Sequence, residues 1–224
     1  MMLADLRQAV IETARKMKEY GLVELAGGTV CAVDKETSLV AITPSGLEYD
    51  NMQPEDVCLV DYDLRLVDGR LKPSIASDMF TEIIKARPDV GAVIHTHSSY
   101  ATAFASLNRE IPVITTTQAN LVGGTVPVVR PLHPGPHTKE YLANIVKTLG
   151  NGKAVNLMCH GPIVVGDDLD DCLAVAVTIE STAAIAIRAA ALGNPVCLNQ
   201  DDTKLAYDYC RRAVGQKKHN ERGE

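Results

Sequence analysis

The chain has 224 residues, 46% of them hydrophobic, which is enough for one sizeable core but short for two independent domains. Its 28 acidic residues outnumber the 22 basic ones, and the formal net charge of −6 argues against nucleic acid or an anionic membrane as partner. The sequence contains no run of about 18 apolar residues of the kind that spans a membrane. We therefore expect one cytoplasmic domain over residues 1–215 and a mobile polar tail over residues 216–224.

Six cysteines are scattered through the chain, without a CxxC pair or the tight spacing of a disulfide framework. This distribution is typical of a reduced protein in which cysteines serve as small buried hydrophobes. They are Cys31, Cys58, Cys159, Cys172, Cys197 and Cys210.

The first third of the chain is predicted to form one helix and an antiparallel meander. Apolar residues recur at steps of three and four between Leu3 and Met17, and Gly21 follows where an amphipathic helix would end. Between Gly27 and Val67, short β-rich runs alternate with turn residues, a pattern that predicts successive antiparallel strands.

The middle of the chain is predicted to alternate between helices and extended segments. Ser77 or Asp78 can cap a helix that runs to about Ala86, because Pro88 prevents its continuation. The pattern further predicts a strand over residues 90–95, a helix over 98–107 and extended segments over 111–115 and 125–129.

The last third is predicted to hold three helices and two strands. The elements are a helix over 138–149, strands over 153–159 and 162–166, an Ala-rich helix over 167–192 and a final helix over about 201–214. Because strands and helices do not alternate strictly, we expect an α/β fold in which helices cover a mostly antiparallel or mixed sheet.

Three histidines lie at the ends of apolar runs. His95 and His97 are two residues apart, so their side chains project to the same face of an extended chain. By itself such a pair is more often a hydrogen-bonded edge pair than a metal site. His160 follows another apolar run and precedes Gly161, which permits an abrupt turn. Three neutral imidazoles from two strand ends would form an open site for zinc or a similar ion, and Cys159 is a less favoured soft ligand.

Two further histidines, His133 and His137, lie in the Pro-rich segment RPLHPGPHTK, which cannot be a central strand. Either the segment is a rigid surface loop or it forms a lid that contacts a substrate. The sequence alone leaves both interpretations open.

Three turns combine small residues with hydroxyl groups: AGGT over 26–29, TPSG over 43–46 and KPS over 72–74. Glycine lets backbone N–H groups approach a ligand, and hydroxyls donate hydrogen bonds without adding charge. Together such turns could hold an anion, although each one singly is only a turn.

The order of these motifs, GGT, ITPSG, KPS, RPDVGAVIHTHS and then HG before a long helix, resembles the class II aldolase/adducin family from the first helix to about Asn194. The resemblance implies a three-layer α/β/α sandwich around a mostly antiparallel sheet, in a cytoplasmic homotetramer with sites at subunit interfaces. It implies one divalent metal, usually Zn²⁺, per subunit on His95, His97 and His160. It also implies that the substrate phosphate is bound by Gly28, Thr29, Ser45, Gly46 and Ser74.

The activity implied by the resemblance is retro-aldol cleavage of a small phosphorylated ketose such as fuculose 1-phosphate, which yields dihydroxyacetone phosphate and an aldehyde. In this reaction the metal acts as a Lewis acid that stabilises an enediolate, and a carboxylate moves the proton.

The chain departs from the family pattern at that carboxylate. The family position falls on Ala76, which cannot transfer a proton, and Ile75 replaces a phosphate-binding serine. Asp78 is the candidate acid/base in its place, although a shift of two residues needs irregular backbone, and Asp78 is as good a candidate for a helix cap. Glu82 is the next carboxylate along the chain.

The missing carboxylate keeps other functions open. Decarboxylation of a phosphorylated 3-keto acid passes through a similar intermediate without deprotonation of a hydroxyl, and a pentose-phosphate 4-epimerase is a further alternative within the family. A non-catalytic adducin-like module also fits the loss of the acid, but such a module has no chemical need for three converging histidines.

Overall fold

The computed structural model describes residues 1–130 and 135–213, which form seven α-helices and eight strands. The helices are α1 (Ala4–Glu19), α2 (Ser77–Ala86), α3 (Ser99–Ser106), α4 (Thr116–Leu121), α5 (Lys139–Leu149), α6 (Leu169–Leu192) and α7 (Gln200–Ala213). The strands are β1 (Thr29–Asp34), β2 (Leu39–Ile42), β3 (Cys58–Val60), β4 (Leu66–Asp68), β5 (Ala92–His95), β6 (Val128–Val129), β7 (Ala154–Leu157) and β8 (Gly161–Gly166). Two short 3₁₀ turns, Tyr49–Asn51 and Pro54–Asp56, precede β3.

All eight strands belong to one sheet in the order β4-β3-β2-β1-β5-β8-β7-β6. Every neighbouring pair is antiparallel except β6 and β7, which are parallel. The predicted meander is confirmed as β1 to β4, and the mostly antiparallel sheet is confirmed as well. The middle of the sheet is the antiparallel pair β1 and β5, and the neighbouring antiparallel pair β5 and β8 positions the candidate site.

Helices cover both faces of the sheet. Alternate residues of β1 separate onto opposite faces: Val30 and Ala32 pack with apolar residues of α1 and α6, whereas Cys31 packs with α2 and α5. Because successive strand side chains point to opposite faces, strands that are buried on both faces are apolar at nearly every position. The result is the expected three-layer α/β/α sandwich.

The long helix α6 is buried on several sides along its first two thirds, as its Ala-rich sequence predicts. It is long and apolar enough to cross a membrane, with mean hydropathy 1.6 in its most apolar window, but 56% of that window is buried inside the protein. A core helix satisfies the same criteria of length and composition.

The predicted extended segment over 111–115 agrees with the structure, since Ile111 forms an antiparallel bridge with Val126 and Thr115 has extended dihedral angles. The threonines after it begin α4, which was not predicted, because the Gln118 N–H donates to the Thr115 side chain and so caps a helix.

Two local predictions are wrong. Neither Ser77 nor Asp78 caps α2. The cap residue is Ala76, whose N–H donates to Ser74 Oγ.

The strand before His160 is also shorter than expected. It ends at Leu157, and residues 158–160 form a turn in which Cys159 has a positive φ of 57°. His160 therefore lies in the hairpin between β7 and β8. The domain prediction of 1–215 stays a prediction, and both His133 and the predicted tail over 216–224 lie outside the described residues.

All six cysteines are free thiols, and three of them, Cys31, Cys58 and Cys172, are buried. Burial raises the pKa of the Cys31 thiol to about 12 and that of Cys58 to about 11. These two side chains are therefore inert hydrophobes.

Candidate metal centre and substrate cleft

The pairing of β5 with β8 brings three histidines to one edge of the sheet. His95 is the last residue of β5 and pairs with Ile163, two residues after the start of β8. His97 lies just beyond β5, and His160 immediately precedes β8. In an antiparallel pair the end of one strand meets the beginning of the other, so residues more than 60 positions apart in sequence become neighbours.

These three side chains, called the histidine triad below, point the same atom at a common centre. The Nε2 atom of His160 lies 3.2 Å from Nε2 of His95 and 3.2 Å from Nε2 of His97. All three ligand atoms lie within 4.8 Å of one another. His95 is buried and the other two are exposed, so the centre opens toward solvent on one side.

The backbone fixes the tautomer of His95. Its Nδ1 lies 3.0 Å from the carbonyl oxygen of Pro162, so Nδ1 carries the proton and donates, and Nε2 presents a lone pair to the centre. Burial, together with His160 and His97, lowers the pKa of His95 from 6.5 to about 3. Burial also lowers the pKa values of His97 and His160. The triad is therefore a set of neutral nitrogen donors at neutral pH.

Two glycines allow the backbone to approach closely at this edge. A Cβ on Gly161, which has a φ of 153°, would lie 2.2 Å from the carbonyl oxygen of Thr96. A Cβ on Gly28, with a φ of 88°, would lie 2.6 Å from the carbonyl oxygen of His95. No side chain fits at either distance, which explains why a glycine follows His160 and why GGT begins β1.

The helix after the HTH segment is held by a residue that the sequence analysis missed. The carboxylate of Glu180 in α6 accepts hydrogen bonds from the backbone N–H groups of Tyr100 and Ala101, both 2.9 Å long, at the start of α3. From α3, Thr102 Oγ1 donates to the carbonyl oxygen of His160 at 3.2 Å. A single glutamate within an otherwise uncharged stretch of α6 was the available sequence signal.

The triad lies in a cleft of about 200 Å³, called the histidine cleft below. Its lining is Ala26, Gly27, Gly28, Thr29, Pro44, Ser45, Gly46, Ser74, Ile75, Ala76, Met79, His95, His97, His137 and His160. The fold thus brings the three predicted anion-binding turns to the triad, although they are far apart in sequence.

The hydroxyl groups of two of these turns are hydrogen-bonded to each other. Thr29 Oγ1 lies 2.6 Å from Ser74 Oγ, which also accepts the N–H of Ala76 at 3.2 Å. Only one hydroxyl proton is used between the two oxygens, so one O–H group remains to donate to a ligand. The backbone N–H of Ser45 donates to the carbonyl oxygen of Lys72 at 3.0 Å, which joins the second turn to the third.

The lining residues named above include neither lysine nor arginine, so an anion here would be bound by hydroxyls, backbone N–H groups and any bound cation. Ile75 is 84% exposed and contributes an apolar surface where the family pattern has a serine. Ala76 is 3% exposed and contributes only a methyl group.

The candidate carboxylates occupy different places. The Asp78 oxygens lie 2.8 and 3.0 Å from Nδ1 of His137, and His137 rather than Asp78 lines the cleft. Glu82 is a hydrogen-bond acceptor for Lys85 at 3.1 Å, and neither residue belongs to the cleft lining. Cys159 is exposed and is also absent from that lining, so the triad rather than the thiol forms the cluster of ligand atoms.

The chemistry of the triad fits a divalent cation. The three Nε2 atoms lie within 4.8 Å of one another, and a three-histidine set with open positions is typical of catalytic zinc and related ions. His95, His97 and His160 are the residues that would hold such an ion.

Comparison with known proteins agrees with this geometry. Residues 8–187 match the family model "Class II Aldolase and Adducin N-terminal domain", and the chain belongs to the class II aldolase/adducin family. This match spans every element from α1 into α6, including the whole histidine cleft.

Several solved structures share the fold. An L-fuculose 1-phosphate aldolase is 29% identical with a TM-score of 0.88, over 94% of this chain and 98% of that one. YgbL from Escherichia coli, described as a putative aldolase/epimerase/decarboxylase, is 22% identical with a TM-score of 0.80, over 91% of this chain and 98% of that one. An L-fuculose 1-phosphate aldolase from Glaciozyma antarctica is 21% identical with a TM-score of 0.76, over 92% and 81% of the two chains.

Proposed function

We propose that this protein is a divalent-metal-dependent aldolase that cleaves a small phosphorylated ketose, such as fuculose 1-phosphate, into dihydroxyacetone phosphate and an aldehyde. The observation that carries the proposal is the convergence of three Nε2 atoms in a cleft lined by hydroxyl- and glycine-rich turns. The similarity to an L-fuculose 1-phosphate aldolase at 29% identity supports the substrate class.

In the proposed reaction the triad binds the metal, for which we propose Zn²⁺, one ion per subunit. When bound, the ion supplies a Lewis acid for negative charge that develops on the substrate oxygens. Neutral imidazoles suit this role because they leave the positive charge of the ion uncompensated. The hydrogen bond from His95 Nδ1 to the Pro162 carbonyl oxygen orients this ligand and makes its Nε2 more basic.

The turns around the triad are proposed to bind the substrate phosphate through Gly28, Thr29, Ser45, Gly46 and Ser74. The free O–H group of the Thr29–Ser74 pair is one donor for a phosphate oxygen. Because the lining has no lysine or arginine, we expect phosphate to contribute less to affinity here than it would beside a cationic side chain.

The experiment is to incubate the zinc-loaded protein with a panel of ketose 1-phosphates and their unphosphorylated counterparts, and to couple the reaction to detection of dihydroxyacetone phosphate. We expect release of dihydroxyacetone phosphate from at least one ketose phosphate, and none after removal of the metal. The absence of release from the whole panel, with the metal bound, would contradict the aldolase assignment.

A second candidate is a decarboxylase of phosphorylated 3-keto acids, which Ala76 specifically favours. Loss of CO₂ leaves the same kind of carbanion without removal of a hydroxyl proton, so the absent carboxylate matters less to it. Release of CO₂ from a keto acid, together with inactivity toward the ketose panel, would replace the first proposal by the second.

Fewer than about 0.2 metal ions per chain after gentle purification would instead favour a non-catalytic module. We further propose a cytoplasmic homo-oligomer, by analogy with the family. A tetramer is the expected assembly and light scattering is its test.

A further inference from the structure

The histidine cleft lacks the carboxylate that the family places at Ala76, but a carboxylate reaches it through another side chain. Asp78 lies two residues after Ala76, in the first turn of α2, and outside the cleft lining. Its two oxygens lie 2.8 and 3.0 Å from Nδ1 of His137, which is part of the lining. His137 comes from the segment just before α5, so this pair joins α2 to that segment.

This contact determines which nitrogen of His137 is free. A carboxylate accepts hydrogen bonds, so Nδ1 of a neutral His137 carries the proton and donates it to Asp78, and Nε2 retains the lone pair. A carboxylate on one imidazole nitrogen also stabilises the positive charge that forms when the other nitrogen takes up a proton. The arrangement is that of a general base with an orienting acid.

We propose that the Asp78–His137 pair replaces the missing carboxylate as the proton-transfer group of the histidine cleft, with His137 in contact with the substrate and Asp78 as its positioning residue. The inference rests on the proposed aldolase function for its reaction. In this role Asp78 acts from its place in a regular helix, without a shift of the backbone. The role is also different from that of a helix cap.

His137 alone can carry out both proton transfers of the cleavage. Nε2 takes the proton of the substrate C4 hydroxyl as the electrons of that O–H bond form the C4 carbonyl and the C3–C4 bond breaks. The electron pair of the C3–C4 bond moves into a double bond between C2 and C3, with the charge on the C2 oxygen. Nε2 then returns the same proton to C3, which completes dihydroxyacetone phosphate and restores neutral His137.

The kinetic test compares the zinc-loaded variants His137→Gln and Asp78→Asn with Glu82→Gln, a change on the same helix α2 at a carboxylate paired with Lys85. We expect kcat to fall about 100-fold or more in His137→Gln and about 10- to 100-fold in Asp78→Asn, with KM and metal content nearly unchanged. The double variant should be no slower than His137→Gln, because residues that act as a unit are not additive. Asp78→Glu should recover part of the loss.

A purely structural tie between α2 and α5 would give a different result. It would lower stability in His137→Gln and Asp78→Asn and leave kcat of the folded fraction near the wild-type value. Normal kcat in His137→Gln, in an active preparation, would overturn the proposal.

A readout without turnover separates this inference from the proposed function. In zinc-loaded protein labelled with ¹⁵N-histidine, we expect His137, assigned by its loss in His137→Gln, to have a protonated Nδ1 and an unprotonated Nε2. If no ketose phosphate is cleaved but this tautomer is found, the aldolase proposal fails and the pair is supported. A tautomer protonated only at Nε2 would overturn the pair, whatever the activity.

Discussion

The two ends of the antiparallel strand pair β5–β8 carry polar clusters of opposite character. At one end the three Nε2 atoms of the histidine triad face one another without a compensating charge. At the other end Lys153 Nζ contacts Asp167 at 3.2 Å and Asp171 at 2.7 Å, and Arg211 also pairs with Asp167. The second cluster is neutralised within the protein and needs nothing further. The first has unused donor capacity, so it is the end that can bind a ligand.

The largest expected effect is loss of the metal after removal of one triad member. In His160→Ala, we expect the affinity for zinc to fall by more than about 100-fold. Loss of a group that only hydrogen-bonds a metal ligand lowers affinity by up to about 100-fold, and loss of the ligand itself should cost more. Metal analysis after dialysis against a competing chelator measures this.

The matched control is Lys153→Met at the far end. It should lower the free energy of unfolding by about 1–3 kcal/mol because Asp167 and Asp171 both lose the lysine ammonium, and it should leave the metal content unchanged. Metal loss in the lysine variant, or retention in His160→Ala, would contradict the contrast between the two ends.

A pair of glycine substitutions sharpens the comparison. A Cβ on Gly91, at the far end, would lie 2.0 Å from the Asp167 carbonyl oxygen, much as a Cβ on Gly161 would overlap Thr96 at the triad end. We expect Gly91→Ala and Gly161→Ala each to cost about 1–3 kcal/mol in denaturant unfolding. Only Gly161→Ala should weaken zinc binding. Equal losses of zinc affinity in both variants would show that overall strain in the sheet, and not the local backbone beside the triad, controls the site.

The third prediction concerns pH. The pKa of His95 falls from 6.5 to about 3 in the folded protein, so between these values the unfolded chain binds more protons. The contribution of neutral His95 to the free energy of unfolding of metal-free protein should therefore be fully present well above pH 6.5. It should decrease as the pH falls from 6.5 toward 3. His95 should contribute a loss of about 1 kcal/mol at about pH 5.5. Urea unfolding of metal-free protein measures this, and His95→Gln should show a flatter pH dependence.

The smallest effect is expected at Glu82, which resembles the far end because its charge is already paired with Lys85. Glu82→Gln should change kcat by less than about twofold, since the side chain makes no contact that strengthens in the transition state. A loss near that expected for His137→Gln would make Glu82 the acid/base instead.

Much of the candidate site was predictable from local patterns. His95 and His97 are one strand period apart, and Gly161 follows His160, so residue type and spacing predicted the three imidazoles that the β5–β8 pairing brings together. The motif order likewise predicted the family and the three-layer fold, which the family match confirms. Helix α4 was missed because three threonines favour an extended chain, and only the Thr115 cap and burial of Gln118 against its neighbours reverse that preference.

The sequence by itself determined which imidazoles are available, the antiparallel meander and the absence of a carboxylate at Ala76, because these depend on residue identity and on the short periods of helix and strand. Only the tertiary structure decided that Asp78 meets His137, 59 residues away, whereas Glu82 and Lys85 are three residues apart on one helix and meet through its local period. Side chains so far apart in sequence meet through the packing of whole helices on a sheet, and no local period encodes that distance.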